Sequence, residues 1–454
     1  ASRRAGFLKW RQWLTGTDTL LGDGPACPGR GAFLWVRGVA GWTRSPVGAA
    51  EANDSFPDEP APFDDVDLGN SSPDIARHHG IWMPRSGTLL PLCDQADIEL
   101  EADSWAALWR EGSEYRSGLE PNDACPELDT LTATSIRVAA STFPLSTGLG
   151  CDNTAPRALC RLSDDLLNAL GLVFKACEKA GEWGEVINLV MIVLLDKPDG
   201  GRRPIGLFPT IVRVWMRARA LIARKWESDH FRPGIFGSAG MGAQRAACQV
   251  AFQAETAALR DNHYAQALLD LVKAFEKVPH HKVSAAARKH NYNLTILRLT
   301  LAAYRIQRSV GVDGIYSRLI VAVCGITAGS GTATTELRII LLDVIDSTYV
   351  LWPTVALTLY VDDFTIEAHG SRIGTRITVA GATDCVINMM QIGLDLEVSV
   401  QKSVVVADRL SLAQGTARTS RTGKLQVARA TKLLRAPSGG RRMSSPKALA
   451  IRLP

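Results

Sequence analysis

Two places in this 454-residue sequence bring acidic side chains to the ends of strand-like segments. Asp270 follows the apolar run Ala265–Leu269. Asp362 and Asp363 interrupt Leu357-Thr-Leu-Tyr-Val-Asp-Asp-Phe-Thr-Ile366. Carboxylates in such positions are costly to bury unless something neutralises them. A magnesium ion does so with a few carboxylates and phosphate oxygens. Two ions about 3.5–4 Å apart can activate an attacking hydroxyl and steady a leaving phosphate. One aspartate from each of two neighbouring strands is the minimum for that work. By itself an Asp-Asp pair at a turn is an ordinary turn. A cationic segment offers the complement: in Lys197-Pro-Asp-Gly-Gly-Arg-Arg-Pro-Ile205, Lys197 and Arg203 flank a turn. A guanidinium can grip phosphate oxygens in bidentate fashion.

The elements that must position these residues read as follows. Leu162–Lys179 has apolar residues at helical spacing (Leu166, Leu167, Leu170, Leu172, Val173, Cys177) with Ser163 as cap. Val186–Leu195 is a buried strand, Arg203–Phe208 is extended, and Thr210–Lys225 is a very basic helix. Tyr264–Leu271 is a strand. Ser284–Leu301 is helical, with Asn291 and Asn293 as possible breaks. Val310–Val323 is a hairpin turning at Asp313-Gly314. Thr332–Ile345 and Arg376–Met390 are helices. Val355–Val361 and Phe364–Ala368 form a hairpin around Asp362-Asp363, and Leu396–Val406 is strand-like. Helices intermixed with antiparallel hairpins make an α+β fold rather than a doubly wound one.

Composition bounds the class. With 46% apolar and 21% charged residues, the chain can bury a sizeable core and is not disordered throughout. Its longest nearly unbroken apolar stretch, Tyr349–Val361, contains Pro353 and two threonines, whereas a membrane-spanning helix needs about 20 apolar residues. Nine cysteines without a C-x2-C pair speak against a zinc ribbon or a secreted disulfide framework, and for an intracellular protein, nuclear or cytoplasmic. The first residues lack an initiator Met, which reads as a fragment of a longer frame.

The net charge of +5 conceals an asymmetry. From Lys402 to Pro454 there are 12 Lys and Arg against Asp408 alone, a basic end suited to a polyanion such as nucleic acid. Residues 48–76 hold eight acids, four prolines and no Lys or Arg, as expected of an exposed linker. The organisation expected is a Trp- and Arg-rich stub (1–47), this linker (48–76), an unassigned region (77–135), two globular parts (136–260 and 261–410) and a basic end (411–454). Within 77–135 only helical turns such as Ser104–Trp109 stand out, with no chemistry attached.

Asp270-Leu-Val-Lys-Ala-Phe-Glu-Lys-Val-Pro-His280 resembles the first catalytic motif of reverse transcriptases, especially those of non-LTR (LINE-type) and related retroelements. Tyr360-Val-Asp-Asp363, 92 residues from Asp270 to Asp362, resembles their Tyr-x-Asp-Asp motif. Thr147-Gly-Leu-Gly-Cys-Asp152, Lys197–Ile205, Gly325-Ile-Thr-Ala-Gly-Ser-Gly331 and Lys402-Ser403 resemble further family motifs, in family order, across roughly 138–408. Two departures are plain: Ala328 stands where Gln is common, without the usual Ser-Pro after it, and Glu276 stands where Asp is usual.

The resemblance implies a right-hand polymerase with fingers at 136–260 and palm at 261–410, an antiparallel sheet covered by helices, and a truncated or absent thumb. It implies RNA-templated DNA synthesis, with an RNA template, a DNA primer, deoxynucleoside triphosphates and two Mg2+ ions (Mn2+ in their place). Asp270, Leu271 and Asp362 would form the metal site, with Asp363 assisting and Lys402 as general acid. Lys197, Arg203, Leu271, Phe275 and Gly329 would contact the nucleotide, Phe275 excluding a 2′-hydroxyl. The alternatives are a catalytically inactive relic that binds nucleic acid, and an RNA-dependent RNA polymerase.

Overall fold

The computed structural model describes residues 33–38, 41–46, 94–120, 123–197, 200–238, 240–399, 401–422, 425–433 and 436–439. The expected acidic linker lies outside them. Two units divide between Thr88 and Leu89. In the first, β1 (Phe33–Gly38) and β2 (Gly41–Pro46) form an antiparallel hairpin.

The second unit begins with α1 (Gln95–Leu108), α2 (Ala133–Ser141), a 3₁₀ turn (Pro156–Arg161) and α3 (Asp164–Ala180). There follow β3 (Leu189–Asp196), β4 (Arg202–Leu207), α4 (Thr210–Asp229), β5 (Ile235–Phe236), α5 (Ala243–Leu259) and β6 (His263–Leu269). Next come α6 (Ala274–Lys277), α7 (His280–Lys289), α8 (Leu294–Tyr304), β7 (Gln307–Val312), β8 (Ile315–Ile320) and α9 (Ala333–Leu351). The rest is β9 (Ala356–Tyr360), β10 (Asp363–Gly370), α10 (Arg372–Asn388), a π turn (Met389–Gly393), β11 (Val404–Ala407), α11 (Leu410–Thr419), β12 (Gln426–Val427), β13 (Ala430–Leu433) and β14 (Ala436–Gly439).

The fold is α+β. A central sheet runs β12-β11-β6-β10-β9-β5, and a second runs β4-β3-β7-β8. The middle pairings of the central sheet, β11 with β6, β6 with β10 and β10 with β9, are antiparallel; the short edge strands β12 and β5 join parallel. Period-two alternation sorts the two faces of β6. Ala265, Ala267 and Leu269 share one face with Phe364 and Ile366 of β10. Tyr264 and Gln266 share the other with Glu367. Helices α5 and α10 both pack on β6 and β10.

Local chemistry explains most element ends. Asn291 in the left-handed region ends α7, and the Asn293 side chain caps α8 by accepting from Ile296 N–H, so the expected Ser284–Leu301 helix is two helices. Asp313 and Gly314, both at positive φ, make the two-residue turn between β7 and β8. Asp152 accepts from the Thr210 N–H at 2.6 Å and so secures the start of α4.

One expectation fails, and the expected Leu162–Lys179 helix forms with its own choice of buried stripe. Leu396–Val406 is not one strand: it is a single bridge at Val398, a turn at Gln401 and Lys402, then β11. In α3 the buried stripe is Leu167, Gly171, Phe174 and Glu178, while Leu166, Leu172 and Val173 are exposed. A 3.6-residue period selects one stripe, and its last position is a carboxylate because a cation meets it there. Arg219 of α4 grips both Glu178 oxygens, at 2.7 and 2.8 Å, and Trp215 donates to the same carboxylate. Losing either member would strand a buried charge, at about 3–5 kcal/mol.

Glu367 is a second buried acid. Burial pushes its carboxyl up to about 8, against which the hydroxyls of Tyr264 and Thr358 pull. Folding therefore favours its protonated form. The contribution is complete below the ordinary value of 4.5 and is lost as pH rises through about 8. Glu367→Gln should melt above the parent protein by a margin that widens between pH 6 and pH 9. A margin independent of pH would show that Glu367 is not neutral in the fold.

Candidate active site

The geometry starts from the pairing of β6 with β10. Phe364 faces Leu269, so continuing the register brings Asp363 alongside Asp270. Tyr360 pairs with Asp363 across β9 and β10, which leaves Val361 and Asp362 as a two-residue turn. Val361 has φ +61°, whereas Asp362 is not in the left-handed region. Turns of this kind call for glycine first. A β-branched residue there is strained by about 1–2 kcal/mol. Packing against the core imposes the strain, beside Gly237, whose added Cβ would come 3.2 Å from Val361 Cγ2.

The backbone of Asp270 is fastened on both sides. Its N–H donates to Ser403 Oγ at 3.3 Å, and its carbonyl accepts from Ser399 N–H at 2.8 Å. Val272 N–H donates to Glu397 O, so the bonds around the Leu271–Val398 bridge belong to Asp270 and Val272 and leave the Leu271 carbonyl out of that pairing. Lys402, next to Ser403, sits exposed in the turn that replaces the expected strand.

Electrostatics ties the sequence-derived residues into one neighbourhood. Burial raises the Asp362 carboxyl, and the like charge of Asp270 raises it further; Arg203 and Lys197 pull it down. Glu276 is raised by burial and by Asp362, with Lys273 and Lys197 opposing. The Lys273 ammonium is lowered by burial, with Lys197 and Lys402 adding to the effect and Glu276 and Glu101 opposing. Asp270, Asp362, Lys197, Arg203 and Lys402 thus share a field. Lys197 and Arg203 reach it from the hairpin of β3 and β4, which is closed by Lys197 N–H to Gly201 O at 3.0 Å and by the Leu195–Arg203 pair.

Phe275 is half-buried in α6, and its carbonyl accepts from Ile326 N–H at 2.7 Å. The glycine-rich loop 325–331 has a use that the sequence did not reveal. Gly329 has φ +112°, and an added Cβ would lie 2.3 Å from Gly206 O; Gly206 N–H in turn donates to Ala328 O at 2.6 Å. Gly325 fits against the Glu276 carbonyl in the same way. Both close approaches are made to the chain's own backbone, which rivets β4 to α6.

Three residues escaped the sequence reading: Glu101 and Trp105 of α1, and Lys273. The Lys273 ammonium stands 3.8 Å over the Trp105 ring, and Trp105 Nε1 donates to Glu101 Oε1 at 3.1 Å. Glu101 pairs with Arg202 at 3.4 Å, beside Arg203. The sequence signals were the helical run Ser104–Trp109 and, for Lys273, the motif Asp270–His280, and neither hints at the other as its partner.

Among the described residues no three His, Cys, Asp or Glu side chains gather into a self-sufficient metal cage. The site offers two hard-oxygen carboxylates whose mutual repulsion a cation would relieve. That donor set suits magnesium completed by phosphate oxygens of a substrate.

No protein-family model matches the chain, and no curated protein matches it. Among solved structures the chain is similar to apo telomerase from Candida tropicalis truncated from its C-terminal domain, at 13% identity over 54% of this chain and 56% of that one, with a TM-score of 0.37. It is also similar to apo telomerase from Candida tropicalis, at 11% identity over 62% of this chain and 52% of that one, with a TM-score of 0.40. The chain spans about half the length of these structures. The functional reading rests on the chain's own residues.

The strain at Val361 is testable by calorimetry. Val361→Gly should keep the melting temperature or raise it, because the turn strain of about 1–2 kcal/mol is relieved against a similar loss in packing and chain entropy. A fall of the size seen for a core truncation, about 2–5 kcal/mol, would mean that the turn is not strained.

Proposed function

We infer that this chain is the fingers and palm of an RNA-directed DNA polymerase, with the fingers at 136–260 and the palm at 261–410. The observation that carries the reading is one juxtaposition. Asp270 and Asp362, from paired strands, meet the field of Lys197 and Arg203 from a separate hairpin. Acids at a strand turn are common; acids that repel each other while facing two cations from another sheet suit a phosphate chain held between them. Among the described residues no helix is long and apolar enough to cross a membrane.

Each residue then has a task. Asp270 and Asp362 would hold the cations, with the Leu271 carbonyl beside them and Asp363 in register with Asp270. Arg203 and Lys197 bind the triphosphate, orienting it in line with the primer hydroxyl. Magnesium, when bound, would lower the pKa of that hydroxyl and stabilise the departing pyrophosphate. Lys402, on the exposed turn, is the candidate that gives a proton to the pyrophosphate. Phe275, fixed by its backbone to the 325–331 loop, is the candidate that rejects a 2′-hydroxyl. Catalysis of this kind is positioning and charge neutralisation rather than covalent chemistry. RNA as template, and the retroelement setting, are carried by the motif resemblance.

Primer extension on an RNA template with magnesium and deoxynucleotides tests the reading. Extension should occur, fall by at least about 100-fold in Asp362→Asn, and weaken when ribonucleotides replace deoxynucleotides. Primer–template binding without extension would leave a nucleic-acid-binding relic; equal use of ribonucleotides would favour an RNA polymerase.

Helix α1 adds a second expectation. Glu101→Gln leaves Arg202 with Asp196 as its one carboxylate partner among the described residues and removes a carboxylate from beside Lys273, both outside the reacting atoms. The KM for deoxynucleotide should change several-fold with kcat nearly constant. An equal fall in kcat and kcat/KM would place Glu101 in the chemical step instead.

A further inference from the structure

Helix α4 is buried along Val212, Trp215, Met216, Arg219 and Ala223, and Met216 lies against the turn at Gly331. The stripe it turns outward reads Arg217, Leu221, Arg224. Leu221 is 70% exposed and Arg224 is exposed, while Arg217 is half-buried. Arg217 does not trail into solvent: its guanidinium lies 4.8 Å over the ring of Phe143, which is itself buried. Arg157, exposed on the 3₁₀ turn, donates to the Phe143 carbonyl at 3.3 Å. Phe143 thus gathers two arginines from different elements.

What surrounds these cations makes the cluster unusual. Three arginines in this part of the fold are matched: Arg137 with Asp164, Arg219 with Glu178, and Arg213 with the Gly148 carbonyl. Among the described residues Arg157, Arg217 and Arg224 enter no ion pair with a carboxylate. The neighbouring charge that Arg217 feels is the like charge of Arg224, which, after burial, holds its guanidinium below the ordinary value. Neither belongs to the group of charges around Asp362, Glu276 and Lys273. Like charges held together on an aromatic support, with no acid between them, form a surface that gains by taking up an anion.

We propose that the outward face of α4, with Arg157, is a nucleic-acid docking surface separate from the carboxylate site, gripping the phosphodiester backbone of a single strand. Three features favour this occupant. Planar guanidinia match phosphate oxygens in bidentate fashion, and stacking on Phe143 fixes one of them in advance. Arg217 and Arg224 are about two helical turns apart, about 10.5 Å along the axis, a span that alternate rather than adjacent phosphates of one strand can cover. The exposed Leu221 between them offers a sugar or base an apolar contact that a small free anion would not use. The surface does not depend on the polymerase reading, since binding here requires neither carboxylates nor magnesium.

The experiment compares the full chain with an Arg157→Gln/Arg217→Gln/Arg224→Gln variant in fluorescence anisotropy over a salt series. The probes are a labelled single-stranded RNA long enough to reach both surfaces, a DNA of the same sequence, and poly-glutamate of matched charge. Melting curves check that the variant folds: Arg157 and Arg224 are exposed, and only Arg217 gives up a contact, its stacking on Phe143. Losing three phosphate contacts should make the dependence of log K on log salt shallower by about 2 for the RNA, with weaker binding at every salt. An effect on RNA and DNA alike supports recognition of the backbone; an effect on RNA alone supports a strand held also through its 2′-hydroxyls. An unchanged slope, absence of RNA binding by the parent chain, or equally tight binding of poly-glutamate would overturn the proposal. Loss of extension activity in the parent chain with the slope change intact would defeat the polymerase reading and leave this surface standing.

Discussion

Two carboxylates that repel each other set the terms for the rest of this structure. The register of β6 with β10 and the tight turn after β9 bring Asp362 within the field of Asp270, and burial strengthens the repulsion. A fold can tolerate that arrangement only if cations come to it. Here Lys197 and Arg203 reach in from the hairpin of β3 and β4, and Lys273 and Lys402 stand nearby. The second sheet, the glycine-rich loop and α1 can each be understood by how they keep that cationic surround in place.

The means are mostly backbone contacts. Gly329 lies against the Gly206 carbonyl and Gly325 against that of Glu276, so the 325–331 loop ties the hairpin bearing the cations to the short helix after Asp270. Side chains would hold such a joint less rigidly, since each brings rotamers that must be frozen. The Glu101–Arg202 pair and the Trp105–Lys273 stack add α1 as a brace from outside the sheets. The strained Val361 belongs to the same economy: positive φ at a β-branched residue persists because neighbouring strands over-determine the turn.

Some buried acids of the fold are answered by a partner from a distant element. Glu178 meets Arg219 across α3 and α4. Glu336 of α9, raised to about 7 by burial, accepts from Tyr304 of α8. These contacts hold helices to one another by specific geometry where apolar packing alone would leave them free to slide. On α4 the inner arginines Arg213 and Arg219 are matched, whereas Arg217, stacked on Phe143, and the exposed Arg224 enter no ion pair among the described residues.

Local chemistry made much of this legible from the residues alone. Period-two alternation around Asp270 and Asp362 marked the two strands. Ser163 marked the start of α3, and Asp313-Gly314 marked a turn whose positive φ values any other pair would resist. All of these act within a few residues, where sequence neighbours are spatial neighbours. The tertiary structure alone decided which strand lies beside which, and therefore that Asp363 comes into register with Asp270. It also decided that Leu396–Val406 breaks into a bridge and a turn because its backbone must fasten Asp270. It closed the glycine loop on Gly206 and brought Trp105 beneath Lys273, 168 positions along the chain. Those contacts join residues with no shared period, and sequence spacing carries no trace of them because they exist only once the sheets have packed.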